Sequence, residues 1–321
     1  MSYVLQHWSG NWAVLAVWAA LVAAHLAGLR QCLQRHGHDR VNGVQARRLT
    51  WEAAAFQGGL LVALLALISP LGYWSGLYIW VRSLQDLLLA LVAPGLIVLG
   101  APWLVLASLR RRPADGPAAD PARPAAQPDQ VPGPSPRRLW ATRPVAIVVA
   151  FNVVWLGWHV PPLYDLAARH SGARYLEYAS YLAAGTVFWL QLIGSRPLRP
   201  VLPPVQRLVL VILTAAADGV LGMVLVFGSG LLYPAYIGAS HHALSVVSDQ
   251  QVAGAVLWMG VLPPLIVVAV ALINNWLDAE ESDELSRDLD RVMGRATAVP
   301  AVSGPGKPVW HARSGYRRPT I

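Results

Sequence analysis

Charge is what this sequence has least of. Of its 321 residues only 13% are Asp, Glu, Lys or Arg, while 55% are hydrophobic and mean hydropathy is +0.44. Soluble domains carry about a quarter charged residues, so an integral membrane protein is expected. Cysteine is nearly absent. The single Cys32 excludes an intramolecular disulfide and any CxxC-type metal or redox site. The four methionines are scattered, so a metal would have to use nitrogen and oxygen ligands. Lysine occurs once, as Lys307 outside every apolar run, which excludes the retinal linkage that a seven-span topology otherwise invites. No phosphate loop, nucleotide fingerprint or nucleophile–base–acid set occurs, so catalysis is not expected.

What is present is a series of seven apolar stretches, at about 10–29, 51–69, 76–98, 144–163, 174–194, 206–228 and 252–276. Each approaches or exceeds the roughly 20 residues that a helix needs to cross a bilayer. The expected fold is all-α, an integral membrane protein of seven transmembrane helices. Alternate connections and the tail hold 22 of the 25 basic residues, and basic loops stay cytoplasmic. The N-terminus is therefore expected outside and the C-terminus in the cytoplasm. The net charge of +8 follows from that topology and implies no nucleic acid. No Lys or Arg precedes the first stretch, which reads as a retained helix and not a cleaved signal. Residues 1–109 hold three helices, 110–143 form a Pro/Ala-rich cytoplasmic linker, 144–277 hold four helices, and 278–321 form a largely disordered cytoplasmic tail. No repeat relates the halves, which argues against an inverted-repeat transporter.

Polar groups interrupt this pattern at a few places. Arg82 and Asp86, four residues apart, share one helix face and are expected to neutralise each other. With the orientation above they lie in the outer leaflet, as do His159, Glu177, Tyr178 and the run Asp249-Gln250-Gln251. Four spans thus bring polar groups to one level, where ionisable residues often mark function. Glu177, near the boundary, is expected to snorkel to water. Asp218 falls mid-membrane and must be protonated, paired or facing a hydrated cavity. His25 and Glu52, near span ends, are read as solvated, and His241 and His242 as incidental loop residues. Trp and Tyr at span ends, Trp155 and Trp189 among them, read as an interfacial belt.

A family resemblance rests on ordered segments: DLLLALVAPGLIVLGAP (86–102), WHVPPLYD (158–165), LEYASYLAAGTVFW (176–189), LYPAY (232–236) and SDQQVAGAVLWM (248–259). From about Leu49 to Leu277 the chain resembles the polytopic CtaG family, cytochrome c oxidase assembly factors of the bacterial inner membrane. The resemblance implies a role in maturing a haem–copper oxidase, at the copper-insertion step, with oxidase subunits or other assembly factors as partners. It also implies outer-leaflet histidines suited to copper, of which His159 matches one. The family's HxxxH is replaced here by Arg82 and Asp86, and its fifth-span histidine by Tyr178. His159, Asp86 and Asp249 remain as candidate metal ligands, a set that suits zinc or a harder ion better than Cu(I). Asp86→Asn is expected to strand Arg82, and neutralising both to be milder. The competing reading is a small-solute or ion transporter using the same polar cluster.

Overall fold

The computed structural model describes residues 7–36, 43–110, 144–238 and 244–297. Among them the structure is helical: α1 (Trp12–His36), α2 (Gly43–Ile68), α3 (Pro70–Trp74), α4 (Ile79–Leu87), α5 (Ala93–Leu99), α6 (Pro102–Arg110), α7 (Pro144–Trp158), α8 (Pro161–Arg169), α9 (Ser171–Leu192), α10 (Pro204–Phe227) and α11 (Val246–Thr297). The linker at 111–143, His241, His242 and the tail beyond 297 lie outside the described residues. The chain divides into a body, residues 1–276, and a second unit, 277–321. The described part of the second unit is helix, with Leu277, Leu285 and Leu289 exposed.

Five helices are long and apolar enough to cross a membrane. The pair α7 and α8, bent by 68° between them, meets the same measure only when taken together. Pro161 and Pro162 explain the bend: neither has an N–H to continue α7, while proline suits the first turn of α8. The fifth apolar stretch of the sequence forms α9. It is 22 residues long but too polar to meet the same measure.

The third stretch is one rod with a defect. Between α4 and α5, residues Leu88–Val92 form a π-turn, in which the Ala93 N–H donates to the Leu88 carbonyl. Pro94 is the physical cause. It lacks the N–H that would meet the Ala90 carbonyl, and its ring pushes that carbonyl aside, so the turn widens. The displaced carbonyls face α9. Trp189 Nε1 donates to Leu91 O at 2.8 Å, and Gly185, one turn earlier, lies against Ala90 O, where any Cβ would collide. α9 is thereby locked against the α4–α5 rod, with Phe188, Leu89 and Trp155 buried in the adjoining core. That lock places the polar end of α9 beside α4.

A buried ion-pair cluster as the candidate functional site

α4 begins at Tyr78 with no cap from its own segment. Asp249, in the first turn of α11, supplies one: Oδ2 accepts the Ile79 N–H at 2.8 Å and Oδ1 the Trp80 N–H at 3.1 Å. A carboxylate there meets orphan donors and the positive end of the helix dipole. Its neighbour Gln250 pins the 228–238 loop, accepting the Leu232 N–H at 2.8 Å and donating to Gly230 O at 3.1 Å. Gln251 is exposed and belongs to neither contact.

One turn into α4 stands Arg82, only 1% exposed. Its Nη2 donates to both carboxylate oxygens of Glu177 on α9, at 2.8 and 3.0 Å. Nη1 donates to the Tyr164 backbone carbonyl at 2.9 Å, and the guanidinium lies 3.6 Å from the Tyr164 ring centroid. Asp86 is further off, its Oδ2 4.0 Å from Nε. Neither Asp86 oxygen, nor Nε, has a hydrogen-bond partner among the described residues. The expected Arg82–Asp86 pair is therefore the weaker of two, and Glu177 is the principal counter-ion. Glu177 is fully buried instead of snorkelling to water, because the α9 lock turns it toward α4. Beside it, Tyr178 donates to Gln85 Oε1 at 2.9 Å, and Gln85 Nε2 donates to Ala66 O at 2.6 Å, joining α9, α4 and α2.

Tyrosines close the cluster. Tyr164 stacks on Tyr233 at 3.9 Å between centroids. Tyr233 donates its hydroxyl to His159 O at 3.0 Å, and Tyr236 donates to Ser75 O at 2.9 Å. Burial pushes both loop phenols above the ordinary tyrosine range, so they remain donors at physiological pH. His159 occupies the α7–α8 bend. Its N–H turns to Leu156 O, and its Nδ1 meets the Trp155 carbonyl at 2.8 Å. A carbonyl only accepts, so Nδ1 carries the proton and Nε2 is left as an acceptor without a partner among the described residues.

Asp218 sits on α10, where Trp155 Nε1 donates to its Oδ1 at 3.1 Å. Trp155 is thus a buried hydrogen-bonding residue and not part of an interfacial belt, and Trp189 likewise. Two further expectations are corrected. His25 is buried and meets Gln57 Nε2 at 3.1 Å, because α1 lies across α2 there. Glu52 is mostly buried and accepts from Arg48 and Arg196. Sequence reasoning also passed over Gln85 and Tyr164. Gln85 left a signal, as an amide in the middle of an apolar run.

The three candidate metal ligands do not come together. Asp249 has both oxygens on backbone N–H groups, Asp86 lies beside a permanent cation, and His159 is on another helix. Among the described residues no three His, Cys, Asp or Glu side chains gather as a metal site. Arg82 cannot ligate, and its charge repels a metal. The residues present do not fit copper.

A family model described as cytochrome c oxidase caa3 assembly factor (Caa3_CtaG) matches residues 23–279. The chain belongs to the Caa3_CtaG family. The match runs from within α1 to within α11 and takes in every residue of the cluster. No curated protein and no solved structure matches the chain. Family membership ties this multi-helix membrane protein to the assembly of cytochrome c oxidase, a part of respiratory-chain biogenesis.

Proposed function

We propose that this protein helps mature a haem–copper oxidase in the bacterial inner membrane. It acts without catalysis of its own, by contact with a nascent oxidase subunit or a fellow assembly factor. The observation that carries this reading is the family match across residues 23–279. In the proposed topology α9 is also a crossing, giving seven, with the N-terminus outside and the C-terminus in the cytoplasm. The Arg82 cluster then lies in the outer leaflet.

The step served is copper entry into the subunit, with this chain holding the subunit in a receptive state and carrying no ion itself. The misfit of the cluster to copper supports that division of labour. Arg82 takes the place of a metal as the positive centre toward which Glu177 and Asp86 are turned. Transport finds no support, because Arg82, Asp86 and Glu177 are sealed from solvent at 0–1% exposure.

The test uses membranes from a strain lacking the gene, measuring oxidase copper against its haem and apoprotein. Copper lost with haem retained is the expected result. Copper and haem lost together would move the role to an earlier step, and unchanged oxidase would sink it.

A further inference from the structure

Asp218, at 2% exposure, is a buried acid that neither the ion-pair cluster nor the assembly role uses. It belongs to a polar seam of two rungs between α7 and α10. On the first rung Asn152 Nδ2 donates to Thr214 Oγ1 at 3.1 Å, and on the second Trp155 Nε1 donates to Asp218 Oδ1 at 3.1 Å. Asn152 stands three residues before Trp155, and Thr214 four before Asp218, so each helix advances about one turn between the rungs.

Each rung leaves one oxygen without a donor. Asn152 Oδ1 and Asp218 Oδ2 are both sealed and have no hydrogen-bond partner among the described residues. The amide cannot turn over to supply one. Its Nδ2 also donates to the Val148 carbonyl at 2.8 Å, and the reverse orientation would set oxygen against oxygen there. An ionised Asp218 would therefore rest on a single neutral donor, and a buried carboxylate so poorly met is very costly.

No cation offsets that charge. Among the described residues Asp218 forms no ion pair. The rings packed around the seam are uncharged: Trp155 with the neutral His159 on α7, Tyr181 of α9 against Trp155, and Trp258 of α11 against Gly219 and Gly222. A calcium or magnesium ion fits no better. Such hard cations take about six or more oxygens, and Thr214 Oγ1 is already engaged by the Asn152 amide.

We propose that Asp218 and Asn152 form a proton-binding site, in which Asp218 is a carboxylic acid at neutral pH and donates its Oδ2 proton to Asn152 Oδ1. One proton turns two acceptors into a donor and an acceptor, so both orphaned oxygens are met at once. Oδ1 remains the carbonyl oxygen and keeps the indole bond. The inference is independent of the assembly role and of the Arg82 cluster.

Infrared spectra of the purified full-length protein in lipid vesicles at neutral pH test it. A protonated carboxyl has a carbonyl stretch above the amide bands, whereas an ionised one absorbs below them. The wild-type minus Asp218→Asn difference is expected to show the protonated band, moving to lower frequency in D2O. Asparagine keeps the shape at 218 and offers an N–H toward Asn152, so this variant is expected to fold. Asn152→Leu removes the acceptor and Trp155→Phe the indole donor, and each is expected to shift the Asp218 band to a different frequency, upward for Trp155→Phe. These shifts are read against wild type and serve equally if Asp218→Asn fails to fold. A difference spectrum with only a carboxylate band, or with no carboxyl band above the amide region, would overturn the proposal. A protonated band that Asn152→Leu leaves unmoved would overturn the bond to Asn152.

Discussion

A guanidinium sealed from solvent must have its charge met by groups that cannot move away, and at Arg82 that group is Glu177. Two short bonds join them, whereas Asp86 stands 4.0 Å off without a hydrogen bond. Removing one member of a buried pair strands the other at a cost of about 3–5 kcal/mol. Glu177→Gln is expected to fall in that range, and Asp86→Asn well below it. The double change Arg82→Leu with Glu177→Leu should cost less than Arg82→Leu alone, since Asp86 and not two carboxylates is then left without its cation. Thermal unfolding in detergent reads all of these, and equal losses for Glu177→Gln and Asp86→Asn would refute the assignment. Asp218 differs, having one neutral donor and no described cation. Trp155→Phe removes that donor and is expected to destabilise by about 1–3 kcal/mol, while Trp155→Phe on an Asp218→Leu background should lose less. Additive losses would show that the indole–carboxyl bond contributes nothing.

Helices here are fixed by groups borrowed from other helices. α4 starts on the carboxylate of Asp249, and losing such a cap costs about 0.5–2 kcal/mol. Asp249→Ala is expected to destabilise by that amount, with hydrogen exchange rising first at Ile79 and Trp80, while Asp249→Asn retains part of the effect. Exchange spread evenly along α4 would argue against a cap. At the other end of the rod, Gly185→Leu puts a side chain into the Ala90 carbonyl and must push α9 away, which predicts loss of the Arg82–Glu177 pair along with stability. Some of this was legible in the residues. Pro94 inside an apolar run signals a break in hydrogen bonding, and the Pro161-Pro162 pair marks the bend. Counting turns along each span set Arg82, His159, Glu177 and Asp249 at one level as an expectation. Which pairs form did not follow, because an arginine side chain is long enough to choose between a neighbour on its own helix and one across the bundle. The choice depends on how α9 is rotated, which is set by Gly185 and Trp189 against displaced carbonyls and not by any periodicity in α9.

At the scale of the whole molecule, hydropathy and charge carry different information about the same chain. Length and apolarity single out five helices and one bent pair and leave out α9, whose polar residues are satisfied inside the bundle. Glu177 and Tyr178 lower its mean hydropathy, yet both are buried against α4. Arginine placement is blind to that difference, since it reads only which connections were retained in the cytoplasm. The two are reconciled if α9 crosses, for then the groups at 30–48, 110–143, 196–207 and 287–318 all fall on one side. Alkaline phosphatase, active only outside, fused after residue 120 and after residue 321 is expected to be inactive, and fused within 228–245 to be active. If α9 did not cross, the 228–245 and C-terminal fusions would exchange behaviour while the fusion after 120 stayed silent. The same set thus tests the orientation and the membership of α9 in the membrane, and with it the depth at which Arg82 and Glu177 meet.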